Sequence, residues 1–171
     1  MAKKFSFYKF GNALKKIDRE FAINCGGCGA FAMRLGKILI DAGYEVKVAM
    51  LGGTAERPVE EISRILQRHN RLTNGATTVR HWNRYGIENC HVMLHVRIEG
   101  NWWFVDSTGV HDEHSYGLAE FISYEDLCTF ADKPQGWNSM FDRRDLPTIE
   151  GMLYTHVAPV IQQYAEVSNE N

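Results

Sequence analysis

The sequence predicts an α+β fold, with helices packed on a small antiparallel β-sheet, and three patterns carry that prediction. Two helical stripes flank a glycine-rich loop near the N-terminus, an alternating stretch turns back on itself near residue 100, and a long helical rhythm closes the chain. Length and composition agree: 171 residues, 44% hydrophobic and 23% charged, suit one globular domain over 1–171 that can bury a core without staples.

Phe7, Phe10, Leu14, Ile17 and Phe21 recur at three- and four-residue steps with charged residues between them, which predicts an amphipathic helix ending before Asn24. The glycine-rich loop Asn24-Cys25-Gly26-Gly27-Cys28-Gly29 follows. Phe31, Leu35, Ile38 and Leu39 then mark the buried stripe of a second helix that Gly43 closes, so Cys28 falls at a helix N-terminus. Residues 45–51 read as a short buried strand running into Gly52-Gly53. Pro58 is a helix-start signal, and Val59, Ile62, Ile65 and Leu66 give a third helix reaching about His69. Residues 71–89 are polar, contain Asn74-Gly75, and read as a long loop bordering a cleft.

From His91 to Ile98 the chain alternates, with Val92, Leu94, Val96 and Ile98 on one face and His91, Met93, His95 and Arg97 on the other. Glu99-Gly100-Asn101 reverses it into a second strand, Trp102 to Val105, that ends at Asp106-Ser107-Thr108-Gly109. Ser123, followed by Glu125 and Asp126, opens a short helix toward Phe130. Ile149, Met152, Leu153, Val157, Val160, Ile161 and Tyr164 keep a final helical rhythm in which Pro159 is expected to make a kink, and the last four residues are expected to fray.

A formal charge of −2 argues against a protein built mainly to grip nucleic acid or anionic membrane. Arg64, Arg68, Arg71, Arg80 and Arg84 cluster locally and read as a solvated, mixed-charge face. No stretch has the 18 or so uncharged apolar residues of a membrane span, and the start, Met-Ala-Lys-Lys, is unlike a signal peptide, so a cytoplasmic protein is expected. Four cysteines, Cys25, Cys28, Cys90 and Cys128, would then be thiols, to be explained by chemistry or packing.

Chemistry points to Cys28. A thiol is a strong nucleophile only as the thiolate, and the dipole and unpaired N–H groups of a helix N-terminus favour negative charge. Gly26, Gly27 and Gly29 would leave backbone N–H groups uncovered for an oxyanion. On the hairpin, His91 and Asp106 fall roughly opposite each other, an arrangement that lets a carboxylate hold an imidazole in one tautomer. His95 is the competing base but lies nearer the turn, away from Asp106. The bland readings are a buried loop cysteine, a satisfied strand histidine and a turn-capping aspartate.

Cys25-Gly26-Gly27-Cys28-Gly29-Ala30-Phe31 resembles the nucleophile helix of papain-like cysteine peptidases, in which the second cysteine of Cys-Gly-Ser-Cys-Trp-Ala-Phe is the nucleophile. His91, followed by Trp103-Phe104-Val105-Asp106-Ser107-Thr108, resembles the histidine and Trp-x-x-Val-Asp-Pro-Thr segments of the transglutaminase-like superfamily, and the fifteen-residue spacing from His91 to Asp106 matches. The likeness covers about residues 24–109 and implies a papain-like (transglutaminase-like) core, with a nucleophile helix on a small sheet. It implies Cys28 as nucleophile, His91 as base and Asp106 as its orienting partner. Papain-like enzymes carry an oxyanion-hole glutamine six residues before the nucleophile; that position is Ala22 here, which leaves Asn24 as the candidate second donor, with Gly27 and Trp103 as further oxyanion or substrate-binding candidates.

The activity implied is acyl transfer through a thioester on a protein or peptide-like amide. Water as acceptor gives a peptidase, isopeptidase or amidase; an amine gives a transglutaminase or acyltransferase. Small size and the lack of calcium-site patterns favour hydrolysis. No metal or organic cofactor is implied. Three rival readings use the same residues: a Cys25-x-x-Cys28 redox motif, a zinc site from Cys25, Cys28, Cys90 and His91, and a binding protein that has kept the fold without catalysis. The redox motif should follow a buried strand, yet residues 18–23 continue a helical pattern, and neighbouring strand residues such as Cys90 and His91 point to opposite faces.

Overall fold

The computed structural model describes residues 4–21, 23, 27–53, 61, 64, 88–114, 118–128 and 142–165. The expected third helix (58–69), the loop after it, most of the arginine cluster and the last four residues fall outside the described residues, apart from Glu61, Arg64 and the start of the strand at Glu88. What is described is mixed helix and sheet, as the α+β prediction requires. Helix α1 (Phe7–Phe21) and helix α2 (Cys28–Asp41) precede strand β1 (Val46–Gly53). Strands β2 (Glu88–Ile98), β3 (Asn101–Asp106), β4 (Gly109–His111) and β5 (Leu118–Ile122) lead to the short helix α3 (Tyr124–Cys128). A 3₁₀ turn (Arg143–Asp145), helix α4 (Leu146–Met152), a π-helical turn (Leu153–Val157) and helix α5 (Ala158–Ala165) complete the chain.

The five strands form one sheet in the order β4-β3-β2-β1-β5, every neighbouring pair antiparallel. The helices pack on one face of it. Val48 and Met50 of β1 and Val92, Leu94, Val96 and Ile98 of β2 meet Phe10, Leu14 and Ile17 of α1, Phe31, Leu35, Ile38 and Leu39 of α2, and Ile149, Leu153, Val157 and Ile161 of the C-terminal helices. The helical stripes read from the sequence are thus the faces turned to the sheet. On the other sheet face Ala49, Leu51, Met93 and Phe104 form a second, smaller apolar cluster.

Two local features set the register. Glu99 (φ 50°) and Gly100 (φ 83°) are both left-handed, so the β2–β3 hairpin closes through a two-residue turn of the mirror-image type that matches strand twist. Gly43 (φ 88°) ends α2, since an L side chain is strained there. The kink expected at Pro159 takes a particular form: the helix widens into the π turn directly before it, which accommodates a residue that has no N–H to donate. Strands β4 and β5 are additions to the elements read from the sequence, and the hairpin strands are longer than read, beginning at Glu88 and ending at Asp106. Among the described residues no helix is long and apolar enough to cross a membrane.

Candidate active site

Cys28 is the first residue of α2, and Gly27 is its N-cap. Gly27 has no side chain with which to cap this helix, and among the described residues no side chain hydrogen-bonds its first-turn N–H groups. The Phe31 N–H closes the first helical bond, 2.9 Å to the Gly27 carbonyl. Gly27 itself departs from the sequence reading: its N–H donates 2.8 Å to the Ile23 carbonyl, turned inward to end the preceding turn. That N–H is therefore not available to an oxyanion, and the backbone N–H of Cys28, at the first position of the helix, is the candidate donor. Cys28 is a free thiol, 8% exposed.

His91 and Asp106 come from the far end of the β2–β3 hairpin. The ladder runs His95↔Phe104 and ends at Leu94↔Val105, and Asp106 follows at the end of β3, within hydrogen-bond reach of His91. The β1–β2 ladder slips where His91 enters it: Leu51 pairs with His91 but Gly52 pairs with Asn89, which carries Cys90 past the register. A slip of this kind sharpens twist and re-aims side chains at the end of a sheet. Here it sits where His91 meets the N-terminus of α2.

The contacts are specific. His91 Nε2 lies 2.8 Å from Asp106 Oδ2, with both side chains buried, and His91 is near enough to the buried Cys28 thiol for the two to influence each other's protonation. Burial opposes a charge on His91, but hydrogen bonds to Asp106 and Cys28, together with their negative charges, outweigh it and carry its pKa up to about 9. Burial likewise opposes ionisation of Asp106, yet the hydrogen bonds from His91 and from Thr108 hold its pKa down to about 2. An ionised Asp106 has no proton, so His91 Nε2–H is the donor. That leaves Nδ1 as the ring nitrogen available to Cys28.

Asp106 is held from its other oxygen too. Oδ1 accepts from the Thr108 N–H at 2.8 Å and from Thr108 Oγ1 at 2.6 Å, a local turn that aims Oδ2 at the histidine. Ser107, fully buried, donates 2.6 Å to Asp18 Oδ1 and so ties the end of β3 to α1. Next to this turn stands His111, whose Nε2 is 3.1 Å from Thr108 Oγ1 and 3.3 Å from Asp106 Oδ1. Sequence reading passed over His111; its one signal was its place five residues after Asp106, beyond a tight Ser-Thr-Gly turn that brings β4 back alongside β3.

Of the other sequence candidates, Trp103 is not beside His91. It pairs with Val96 and packs against Phe7 at a ring separation of 4.6 Å, on the sheet face turned to the helices, because alternation puts it opposite in sense to Phe104 and Asp106. Trp102 takes the other face, stacked on His95 at 4.8 Å with Lys47 over its ring. His95 is thus engaged with Trp102, Phe104 and Phe121, and pairs with Phe104, away from Asp106. Asn24, Cys25 and the side chain of Cys90 fall outside the described residues, and the redox and zinc readings that need them fall outside with them. Among the described residues no group of three or more His, Cys, Asp or Glu is placed to hold a metal ion.

The arrangement joins a thiol at a helix N-terminus to an imidazole of fixed tautomer and a buried carboxylate anion. Chemically it can move a proton from sulfur to Nδ1 and stabilise the charge pair that results. Comparison of the chain with protein-family models, with curated proteins and with solved structures found no match.

Proposed function

We propose that this protein is a thiol-dependent hydrolase that acts on a protein or peptide-like amide through Cys28, His91 and Asp106, on a papain-like (transglutaminase-like) core. The observation that carries the reading is the placing of His91, which donates through Nε2 to a carboxylate held ionised and stands by the Cys28 thiol at the start of α2. His91 Nδ1 takes the Cys28 proton, and the thiolate adds to the amide carbonyl. The Cys28 N–H at the start of α2 donates to the oxyanion. Collapse of the tetrahedral intermediate passes the proton from Nδ1 to the leaving amine and forms a thioester on Cys28. Water, deprotonated by His91, then releases the acid and restores the thiol. Throughout, Asp106 holds the ring and offsets the imidazolium charge without accepting the proton.

The test follows Cys28 itself. Iodoacetamide labelling across a pH series, mapped by mass spectrometry, should find Cys28 labelled well before Cys128 near pH 6.5, with the advantage lost in His91→Ala. Equal rates for the two cysteines, or no effect of His91→Ala, would remove the thiolate–imidazolium pair and the proposal with it. An activated aryl ester should also leave its acyl group on Cys28 in acid-quenched wild type, and not in Cys28→Ser.

A further inference from the structure

The second histidine on Asp106 has a proton whose position the hydrogen bonds determine. Thr108 Oγ1 spends its one proton on Asp106 Oδ1, at 2.6 Å, and Asp106 as an anion can only accept. The contact between Thr108 Oγ1 and His111 Nε2 at 3.1 Å therefore has the histidine as donor, and the same N–H reaches Asp106 Oδ1 at 3.3 Å. Asp106 thus sits between two imidazoles: buried His91 on Oδ2 and, on Oδ1, His111, whose side chain is 36% exposed and can exchange protons with solvent.

We propose that His111 is a positioning residue of this site, a solvent-facing imidazole whose N–H steadies Asp106 and whose charge state sets how firmly Asp106 supports the Cys28–His91 pair. The inference rests on the reading of Cys28, His91 and Asp106 as the reactive centre. Neutral His111 donates through Nε2 and leaves the full carboxylate charge to His91. Once protonated, His111 becomes a second cation on the same carboxylate, and the imidazolium of His91 is then less favourable. Charge from the other elements packed around β4 is mixed. The Lys15 side chain of α1 lies over Gly109, while Asp18 of α1 is taken up by Ser107, and Asp112, Glu113 and His114 follow β4 in the chain. Against that background Asp106 is the anion in contact with His111 Nε2, so its support is what the second proton draws on.

Two variants separate the donor from the charge. His111→Gln keeps an N–H donor and abolishes the titration; His111→Leu abolishes both. In wild type the acid limb of Cys28 alkylation should fall with two protonations. His111→Gln should leave one. His111→Leu should lower the plateau several-fold, because the carboxylate loses an orienting donor. The ring ¹⁵N shifts of His91 should likewise show two inflections in wild type and one in His111→Gln, a signal that simple loosening of the fold would not produce. Profiles and shifts of both variants that superimpose on wild type, while His91→Ala still abolishes the fast labelling, would overturn the role of His111 and leave the reactive centre standing. Unchanged labelling in His91→Ala would instead remove the centre, and this inference with it.

Discussion

Replacing Asp106 by asparagine exchanges one carboxylate oxygen for an NH₂ group and should disable the site for a reason the hydrogen bonds specify. Oδ1 receives the Thr108 N–H and hydroxyl, so the oxygen of the new amide stays there and its NH₂ takes the place of Oδ2, facing His91 Nε2. Two donors cannot share that bond. His91 would have to move its proton to Nδ1, the nitrogen available to Cys28, and would cease to be a base. The magnitude follows from the two shifts at about 1.36 kcal/mol per pH unit. The fall at Asp106 from 3.8 to about 2 is worth roughly 2 kcal/mol, and the rise at His91 from 6.5 to about 9 roughly 3 kcal/mol. The histidine figure is larger because Cys28 contributes to it as well, so the portion the pair shares is limited by the smaller one, of which Thr108 holds a part. About 2 kcal/mol is a reasonable share, or roughly thirty-fold in the population of the reactive pair, before the tautomer penalty is added. Measured as mapped iodoacetamide labelling at pH 6, Asp106→Asn should cut the Cys28 rate at least thirty-fold, with an ordinary thiol's labelling returning above pH 9. A rate within two-fold of wild type at pH 6, in a variant that melts cooperatively, would refute the reasoning.

Stability should carry the same signature. A raised histidine pKa stabilises the fold fully below pH 6.5 and loses that contribution as pH climbs through about 9, whereas the depressed Asp106 contributes above pH 3.8 and is lost as pH falls through about 2. Denaturant titrations should therefore show wild-type stability declining between pH 6.5 and 9 by up to about 3 kcal/mol, and His91→Gln should flatten that decline; an equal slope in both would exclude His91 as its source. Thr108→Val keeps the shape but removes a hydroxyl donor from a buried carboxylate, at an expected cost of about 1.5–3 kcal/mol in urea denaturation together with slower Cys28 labelling; a neutral result would mean that Oδ1 finds a replacement donor. Gly36→Ala places a Cβ 2.6 Å from a Tyr124 ring carbon, on a side chain anchored to the Met33 carbonyl, so overpacking should exceed the gain in helix propensity and destabilise by about 1–2 kcal/mol. A more stable Gly36→Ala protein would show that the ring moves freely.

Sequence patterns were legible where one element sees one environment. Phe10, Leu14 and Ile17, or Leu35 and Leu39, recur at helical spacing because a single stripe of each helix faces the sheet, and Val92 to Ile98 alternate because one sheet face is covered by helices. Strands β4 and β5 were not legible. Three and five residues are too few for a period to register, and both strands exist only because a neighbouring edge pairs with them. Gly27 and Trp103 mark a second limit. Whether an N–H is turned outward or to a carbonyl four residues back, and which of two adjacent tryptophans faces a histidine, depend on register and on the turn before the helix, neither of which residue type encodes.

Sequence alone therefore determined which residues can do chemistry: a cysteine at the start of a helix after a glycine-rich loop, and a histidine and aspartate fifteen residues apart on one hairpin. Those are local facts, written in spacing and helix signals. Only the tertiary structure decided how they meet. The slip in the β1–β2 ladder at His91, the Thr108 turn that presents one carboxylate oxygen, and the return of β4 that sets His111 on the other all arise from contacts between segments distant in the chain or folded back by a turn. A hydrogen bond is sensitive to tenths of an ångström and to which atom holds the proton, and packing sets both.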